Sequence, residues 1–284
     1  MRISNLVAIF QRWPLKEGLQ LCTSRLFKKM GFEVFNKIQY EDSKYFTLSA
    51  LGLQVKKHGK YTAIHSKDFK QILIRRGTSD IDVAIQIFDW DEFAGLFSVI
   101  EDKNEIKTII DAGANIGISS VKFKSAFPNV SIIAIEPDDS NFSLLNKNLT
   151  LNGVDYSSLK SGVWNKKTKL YFDRSFRDGR EWAITVTEVP NSGPSIQSFS
   201  INDIVEKYAI KVIDILKVDI EGSEKQVFLE ANSNLEFLDI TRYVAVELHD
   251  EFVEKEKIEK LLVDKGFQLT HSGEYLIGKN VINF

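Results

Sequence analysis

The fold is decided by the stretch Ile109-Ile110-Asp111-Ala112-Gly113-Ala114-Asn115-Ile116-Gly117. An apolar strand ends at Asp111, and two glycines, Gly113 and Gly117, precede a helical segment. Glycine permits a tight bend and close approach of the backbone to a ligand, and a helix that begins there presents free N–H groups. The stretch therefore predicts a strand–turn–helix unit that binds a nucleotide-like cofactor through Gly113, Asn115 and Gly117.

The residues around this turn indicate which cofactor it takes. Dinucleotide enzymes usually carry Gly-x-Gly-x-x-Gly at this point, which makes room for a pyrophosphate. Here Asp111 would repel a pyrophosphate, whereas it can contact the ammonium of a methionine moiety, directly or through water. Glu136 ends the second strand, where its carboxylate can accept hydrogen bonds from both ribose hydroxyls. The pattern favours S-adenosylmethionine over NAD; glycines that merely join strand to helix are the structural alternative.

Outward from the turn, the chain divides into two regions. Residues 106–284 alternate strands and helices, with a third strand expected over 159–164 and a β-hairpin inserted at 169–190, which predicts a parallel sheet covered by helices. Residues 1–105 form a less regular α+β region. It begins with an amphipathic helix interrupted at Pro14, continues with short β segments, and ends in a helix capped by Ser79. We expect this region to act as a substrate cap or an oligomerisation element.

Composition limits the classes of protein to which the chain can belong. Its 284 residues are 43% hydrophobic, and the formal net charge is −2, so a normal core is expected and the basic footprint of a nucleic-acid-binding protein is missing. The single cysteine, Cys22, excludes an intramolecular disulfide and a cysteine metal cluster. No apolar run approaches the ~20 residues of a membrane span. These features predict a soluble, cytoplasmic protein, in which homo-oligomerisation is left open.

Ionisable residues gather at the ends of two later strands. Lys217, Asp219 and Glu221 alternate at the end of the fourth strand, and His249 follows the next strand, two residues after Glu247. The carboxyl ends of parallel strands meet at one open edge, where ligands bind, and buried ionisable groups are unfavourable elsewhere. The pattern predicts an active-site cluster, with a purely structural polar network as the alternative.

Several segments of the chain resemble the FkbM family of methyltransferases. The matching pieces are the turn at 111–117, Glu136-Pro137, Leu216-Lys217-Val218-Asp219-Ile220-Glu221-Gly222-Ser223-Glu224, Val246-Glu247-Leu248-His249 and a segment at 74–80. The resemblance implies an α/β fold with a Rossmann-like class I methyltransferase sheet that ends in an antiparallel hairpin. It also implies methylation of a hydroxyl oxygen, with sugars or other secondary metabolites as common acceptors.

This interpretation assigns a role to each candidate residue. We expect Asp219 to lie nearest the acceptor, as base or metal ligand. Glu221 is expected to orient Asp219, and His249 is the alternative base. A divalent ion, magnesium or manganese, could be held by Asp219, Glu221 and His249, although their spacing is not a metal signature. Four further residues are assigned to pockets: Trp164 to the adenine, and Arg75, Asp80 and Trp182 to the acceptor. Core packing is the alternative for the two tryptophans, and helix capping by Ser79 beside a solvated arginine pair is the alternative for Arg75 and Asp80.

Three functions compete at this stage. The first is an S-adenosylmethionine-dependent O-methyltransferase that acts on a sugar, a glycan or another small molecule. The second is a nicotinamide-dependent sugar-modifying oxidoreductase, which the missing third glycine disfavours. The third is a non-catalytic binding module on the same fold, which is hard to reconcile with an intact acidic cluster at the open edge of the sheet.

Overall fold

A computed structural model describes residues 3–30, 37–173, 185–249 and 255–284. The chain forms two compact units, Met1–Trp90 and Asp91–Phe284. The sequence-based division lies fifteen residues later, at 105/106, and the difference has a packing reason. Phe93, just before helix α5 (Ala94–Val99), is buried against Phe123 and Tyr275 with ring centroids 4.7 and 5.5 Å apart.

The first unit combines helices with a three-stranded antiparallel sheet of order β1-β2-β3. Its elements are α1 (Ile3–Arg12), α2 (Leu15–Lys29), α3 (Lys37–Ala50), β1 (Gln54–His58), β2 (Tyr61–His65), β3 (Ile72–Arg75) and α4 (Asp80–Phe88). The predicted interruption of the first helix at Pro14 is confirmed, because proline removes a backbone donor and clashes with the preceding turn. No helix was expected between Met30 and the first β segment, and α3 corrects that prediction. Its buried face includes Glu41 and Asp42, so it shows no clear apolar stripe.

The second unit contains the predicted alternation of strands and helices. After α5 and a 3-10 turn (Lys103–Glu105), its elements are β4 (Thr108–Ala112), α6 (Ile118–Ala126), β5 (Ser131–Ile135), α7 (Asp139–Leu151), β6 (Asp155–Leu159), β7 (Gly162–Val163), β8 (Lys169–Asp173), β9 (Thr185–Thr187), β10 (Ser195–Phe199), α8 (Ile201–Lys207), β11 (Ile213–Val218), α9 (Glu224–Phe228), α10 (Glu236–Asp239), β12 (Thr241–Glu247), α11 (Lys255–Asp264), β13 (Phe267–Ser272) and β14 (Tyr275–Asn280).

A seven-stranded sheet of order β13-β14-β12-β11-β4-β5-β6 forms the core of this unit. Five strands of this sheet run parallel to one another, namely β12, β11, β4, β5 and β6. Strand β14 runs antiparallel to both β12 and β13. The central strands β4 and β11 are buried on both faces by side chains such as Ile109, Ile110 and Leu216, as parallel strands covered by helices require. The predicted α/β class and the terminal antiparallel hairpin are confirmed, and the parallel strands end at a common edge.

The third strand of this sheet differs from the prediction. It is β6, whereas residues 162–163 form β7 in a smaller sheet of order β7-β10-β8-β9. Residues 156–159 of β6 are only half-buried, because the strand lies at the edge of the large sheet, so its sequence lacks the apolar run of an inner strand. The inserted hairpin is confirmed in β8 and β9, which pair from Tyr171 opposite Thr187 to Asp173 opposite Thr185. None of the helices in the described ranges is long and apolar enough to cross a membrane.

Candidate active site

The turn after β4 packs directly against the segment that follows β11. Gly113 has a φ of +76°, and a Cβ atom placed on it would lie 1.6 Å from the carbonyl oxygen of Asp219. The backbone N–H of Asp219 donates to the carbonyl of Ala112 over 3.1 Å, which holds the two segments together. The glycine at 113 is therefore required by its conformation and by the approach of a neighbouring backbone.

Glu136 closes the other side of the turn. Its Oε2 accepts from the backbone N–H of Asn115 (3.0 Å), and its Oε1 accepts from the N–H of Asp138 (3.0 Å) and from the side-chain amide of Asn141 (3.2 Å). Burial of the carboxyl raises its pKa to about 7, against the opposing effect of these donors. The carboxylate is thus held rigidly beside the turn, with lone pairs left for a ligand.

Asp111 lies deeper than the sequence suggested. It is fully buried, and its Oδ2 accepts from the hydroxyls of Ser119 (2.7 Å) and Ser120 (2.6 Å). Its Oδ1 is 3.4 Å from the ammonium of Lys217. Serines in the first turn of α6 thus cover one oxygen of this carboxylate, and contact between Asp111 and a cofactor ammonium, directly or through water, stays a prediction.

A single cleft joins the turn to the cluster after β11. It holds about 590 Å³ of space between atoms, part of which is open solvent. The residues that line it are Gly113, Asn115, Ile135, Glu136, Pro137, Asn141, Ser161, Gly162, Val163, Val186, Asp219, Ile220, Glu221 and Ser223. Asn141 and Ser161 were not predicted, although the parallel topology brings the ends of β5 and β6 to this edge.

Trp164 is not among the residues that line this cleft, which corrects its predicted place beside the adenine. Its side chain is buried, and its backbone N–H donates to the carbonyl of Phe199 over 3.0 Å, next to the small sheet. Ser161, Gly162 and Val163 line the cleft instead. The core-packing alternative for this tryptophan therefore describes the structure.

Lys217 connects the turn to the acidic cluster. Its buried ammonium donates to the carbonyl of Gly113 (2.7 Å) and pairs with Asp219 Oδ2 (3.1 Å) as well as with Asp111. Burial acts to lower the pKa of Lys217, but the charges of Asp219 and Asp111 outweigh it and raise that pKa above the usual lysine value. The lysine is therefore a permanent cation beneath the cleft.

Asp219 and Glu221 face the cleft as the alternation of the strand predicts. Asp219 Oδ2 also receives a 3.4 Å contact from the hydroxyl of Tyr275, which lies at the start of β14. Glu221 adopts a φ of +50° and Gly222 a φ of +90°, so the chain turns sharply after β11 before α9 begins. This turn keeps both carboxylates at the carboxyl edge of the sheet.

His249 is buried among carboxylates. Its Nδ1 lies 2.9 Å from Glu224 Oε1, and its Nε2 lies 3.3 Å from Glu221 Oε2 and 3.4 Å from Glu247 Oε1. Burial acts to lower the pKa of the ring, but the Glu224 hydrogen bond and the charges of Glu224, Glu221 and Asp219 raise that pKa to about 9. The surrounding carboxylates therefore favour a positive charge on or beside the ring, and a role of His249 as the alternative base stays a prediction.

Two further carboxylates, Glu92 and Glu247, complete the acidic cluster at the carboxyl edge of the sheet. The pKa of Glu92 is raised to about 7 by burial and then by the charge of Asp219. The pKa of Glu247 is raised well above its usual range by burial, and then by the charges of Asp219 and Glu92. Glu92 was missed because the sequence-based boundary assigned it to the N-terminal region, away from the sheet.

Two of the three predicted acceptor-binding residues belong to the first unit. Arg75 and Asp80 are in the first unit, where Asp80 is buried and accepts from the backbone N–H (2.7 Å) and the guanidinium Nη2 (2.6 Å) of Arg75. Arg75 is therefore ion-paired and not solvated, and Ser79 makes no side-chain cap to α4, so the predicted capping alternative does not describe this segment. Trp182 lies outside the described residues. A role in acceptor binding stays a prediction for all three.

The chain matches methyltransferases among proteins of known sequence. It is 29% identical to Methyltransferase sdnD from Sordaria araneosa over 196 residues, which cover 57% of this chain and 74% of that protein. It is 27% identical to Methyltransferase 1 from Beauveria bassiana (strain ARSEF 2860) over 180 residues, covering 56% and 71% of the two chains. Both matches exceed two thirds of the relative's length.

The family profile agrees with these matches. The crystal structure of methyltransferase FkbM from Methylobacillus flagellatus KT aligns with a TM-score of 0.45 at 17% identity, over 64% of this chain and 45% of that one, so less than half of that protein is spanned. The profile of the family described as "Methyltransferase FkbM domain" matches residues 111–269, more than half of the chain. That range holds the turn, Glu136 and the carboxylates after β11 and β12. With a seven-stranded sheet whose carboxyl edge carries all of them, the chain belongs to the FkbM methyltransferase family.

Proposed function

We propose that the protein transfers the methyl group of S-adenosylmethionine to a hydroxyl oxygen of a sugar, a glycan or another small-molecule acceptor. The observation that supports this most is the single cleft that runs from Glu136 to Asp219 past the glycine turn. The cofactor and the acceptor can therefore meet inside one enclosure. The net charge of −2 argues for a small acceptor over a nucleic acid.

The cleft fits the polar groups of this cofactor. Asn115 Oδ1 and Ser161 Oγ are buried, line the cleft and make no hydrogen bond to any described residue. Buried polar atoms without partners are rare in native proteins and point to a ligand that supplies them. We assign the ribose hydroxyls to Glu136, and the amino-acid end of the cofactor to Asn115 and the backbone of the turn from Gly113 to Gly117.

The remaining chemistry is alignment and removal of a proton. When bound, S-adenosylmethionine supplies a methyl group on a sulfonium that leaves as a neutral thioether. The cleft holds the acceptor oxygen in line with that methyl group, which can contribute about 7–11 kcal/mol. Asp219 accepts the hydroxyl proton and Glu221 orients the acceptor; such a base is worth about 10²–10⁴-fold in rate. Lys217 and the Tyr275 hydroxyl fix the Asp219 carboxylate in position.

Calorimetry with the purified chain tests the cofactor assignment. We expect S-adenosylmethionine and S-adenosylhomocysteine each to bind at one equivalent, and NAD to give no binding heat. Formation of S-adenosylhomocysteine with a panel of sugar and polyol acceptors then tests the transfer step. Binding of NAD without binding of S-adenosylmethionine would support the oxidoreductase alternative and contradict the proposal.

The pKa of Glu136 predicts a pH dependence of cofactor binding. Because the pKa of this carboxyl is raised to about 7 and hydroxyl donors prefer the ionised form, affinity should rise with pH through 7 and level off above it. Below the pKa, the dissociation constant should increase by up to about tenfold per pH unit. Calorimetric titrations at a series of pH values measure this profile.

The control for this profile is Glu136→Gln, which keeps the shape of the side chain without a titrating group. The variant should bind the cofactor more weakly at every pH, and its affinity should not change through pH 7. A profile that keeps the wild-type slope in Glu136→Gln would assign the titration to another group and remove Glu136 from the ribose site.

A further inference from the structure

The orientation of His249 carries information beyond methyl transfer. Its ring is 3% exposed, and its Nδ1 is hydrogen-bonded at 2.9 Å to Glu224, which is fully buried. A carboxylate at this position receives the Nδ1 proton and directs the lone pair of Nε2 outward, as the carboxylate partners of metal-bound histidines do. Nε2 itself makes no hydrogen bond to a described residue.

Carboxyl oxygens lie opposite this nitrogen. Glu221 Oε2 lies 3.3 Å from Nε2 and Glu247 Oε1 lies 3.4 Å from it. Such an arrangement requires a positive charge between the nitrogen and the oxygens, which either a proton on the ring or a bound metal cation in its place can supply. Asp219, which lies two residues before Glu221, adds another carboxylate to the same side of the cluster.

The ligand atoms are close enough for one ion. One atom each from Asp219, Glu247 and His249 lies within 4.8 Å of the others. Carboxylate–metal and imidazole–metal bonds of about 2.0–2.2 Å place two ligands of one ion at most about 4.4 Å apart, so only small adjustments are needed. Compared with the sequence-based set, Glu247 joins Asp219 and His249, and Glu221 is their neighbour at 3.3 Å from the ring.

We infer that Asp219, Glu247 and His249 bind a divalent metal cation at the carboxyl edge of the sheet, with Glu224 as the partner that orients His249. Two oxygen ligands and one imidazole suit a cation that accepts both donor types, of which Mn²⁺ is representative. The inference rests on the same edge as the proposed function and adds a cation to it. When bound, such an ion acts as a Lewis acid toward an oxygen ligand and lowers the pKa of a bound hydroxyl.

A neighbouring set of carboxylates is the competing location. One oxygen each from Glu92, Glu247 and Glu274 also lies within 4.8 Å of the others. This second set shares Glu247 but lacks a histidine, and Glu274 is exposed on the hairpin turn. Variants of Glu92 and Glu274 therefore separate the two locations, since only the inferred site contains a nitrogen ligand.

Mn²⁺ binding to the full chain, without cofactor or acceptor, tests the inference. After chelator treatment and buffer exchange, Mn²⁺ is titrated and the free ion is measured by its electron paramagnetic resonance signal. We expect one tight equivalent in the wild-type protein, and a modulation of the electron spin echo by the imidazole nitrogen. His249→Gln should remove this modulation and weaken binding by at least about tenfold, and Glu224→Gln should weaken it by about 10–100-fold.

Matched controls decide among the outcomes. Glu92→Gln and Glu274→Gln should leave the affinity within about threefold of wild type and keep the nitrogen modulation. Circular dichroism and the thermal midpoint in chelator establish that each variant is folded. The inference is overturned if wild-type protein binds no Mn²⁺, or if His249→Gln binds it normally while Glu92→Gln and Glu274→Gln do not. Because Mn²⁺ is measured without S-adenosylmethionine, failure here is distinct from failure of the cofactor titration.

Discussion

Replacing Gly113 with alanine is expected to abolish cofactor binding and to destabilise the second unit more than an ordinary surface change. The new Cβ would lie 1.6 Å from the carbonyl oxygen of Asp219 and 2.7 Å from its carbonyl carbon, where the obstacle is backbone and cannot rotate away. The φ of +76° adds conformational strain for any L side chain. We expect a loss of about 3–5 kcal/mol in the free energy of unfolding, at the upper end for single substitutions.

Gly153→Ala is the matched control for this prediction. Gly153 follows α7 with a φ of +60°, yet a Cβ on it would meet no atom within 4 Å. This variant has the strain without the collision, so it should lose only about 1–2 kcal/mol and bind the cofactor as wild type does. Chemical denaturation and calorimetric titration of both variants measure the difference. Equal behaviour of the two would mean that the contact with Asp219 does not shape the cofactor turn.

Asp219→Asn is expected to reduce turnover by about 10²–10⁴-fold while changing the cofactor dissociation constant only a few-fold. The amide cannot accept the hydroxyl proton, and it replaces an anionic ligand at the inferred cation site with a weaker neutral one. The cofactor contacts assigned to Glu136, Asn115 and the glycine turn remain in place. Single-turnover kinetics together with calorimetry separate the two quantities.

Tyr275→Phe serves as the control at the same carboxylate. It removes only the hydroxyl that lies 3.4 Å from Asp219 Oδ2, a hydrogen bond worth about 1 kcal/mol, so turnover should fall by less than about tenfold. If Asp219→Asn weakened cofactor binding as much as turnover, the carboxylate would belong to the cofactor site and its assigned role as base would fail.

The parts of the fold that the sequence predicts are those whose burial is apolar. Strands β4 and β11 are rich in buried apolar residues such as Ile109, Ile110 and Leu216, and the parallel sheet and its terminal hairpin follow from their alternation with helices. Helix α3 buries Glu41 and Asp42, and the edge strand β6 is half-exposed, so neither has the periodicity on which such a prediction depends. A buried polar side chain depends on partners that are far away in the sequence, and a local sequence pattern does not contain them.

The candidate site is also predictable only in part. Strand alternation predicts that Asp219 and Glu221 share an edge with His249, and the structure brings them together. It does not predict depth or protonation, which depend on contacts between segments far apart in the chain. Asp111 is covered by serines in the next helix, and the hydrogen bond and charge of the buried Glu224 raise the pKa of His249.

The reversal of the last strand has a consequence for how new acceptors could be accommodated. Because β14 runs opposite to β12, Tyr275 at its start lies across from Glu247 at the end of β12, next to the carboxyl edge. The hairpin loop just before it therefore lies next to Glu247, while β4, which carries the glycine turn, lies three strands away from β14 in the sheet. We therefore expect changes in the length and composition of residues 272–274 to alter the choice of acceptor more than cofactor binding.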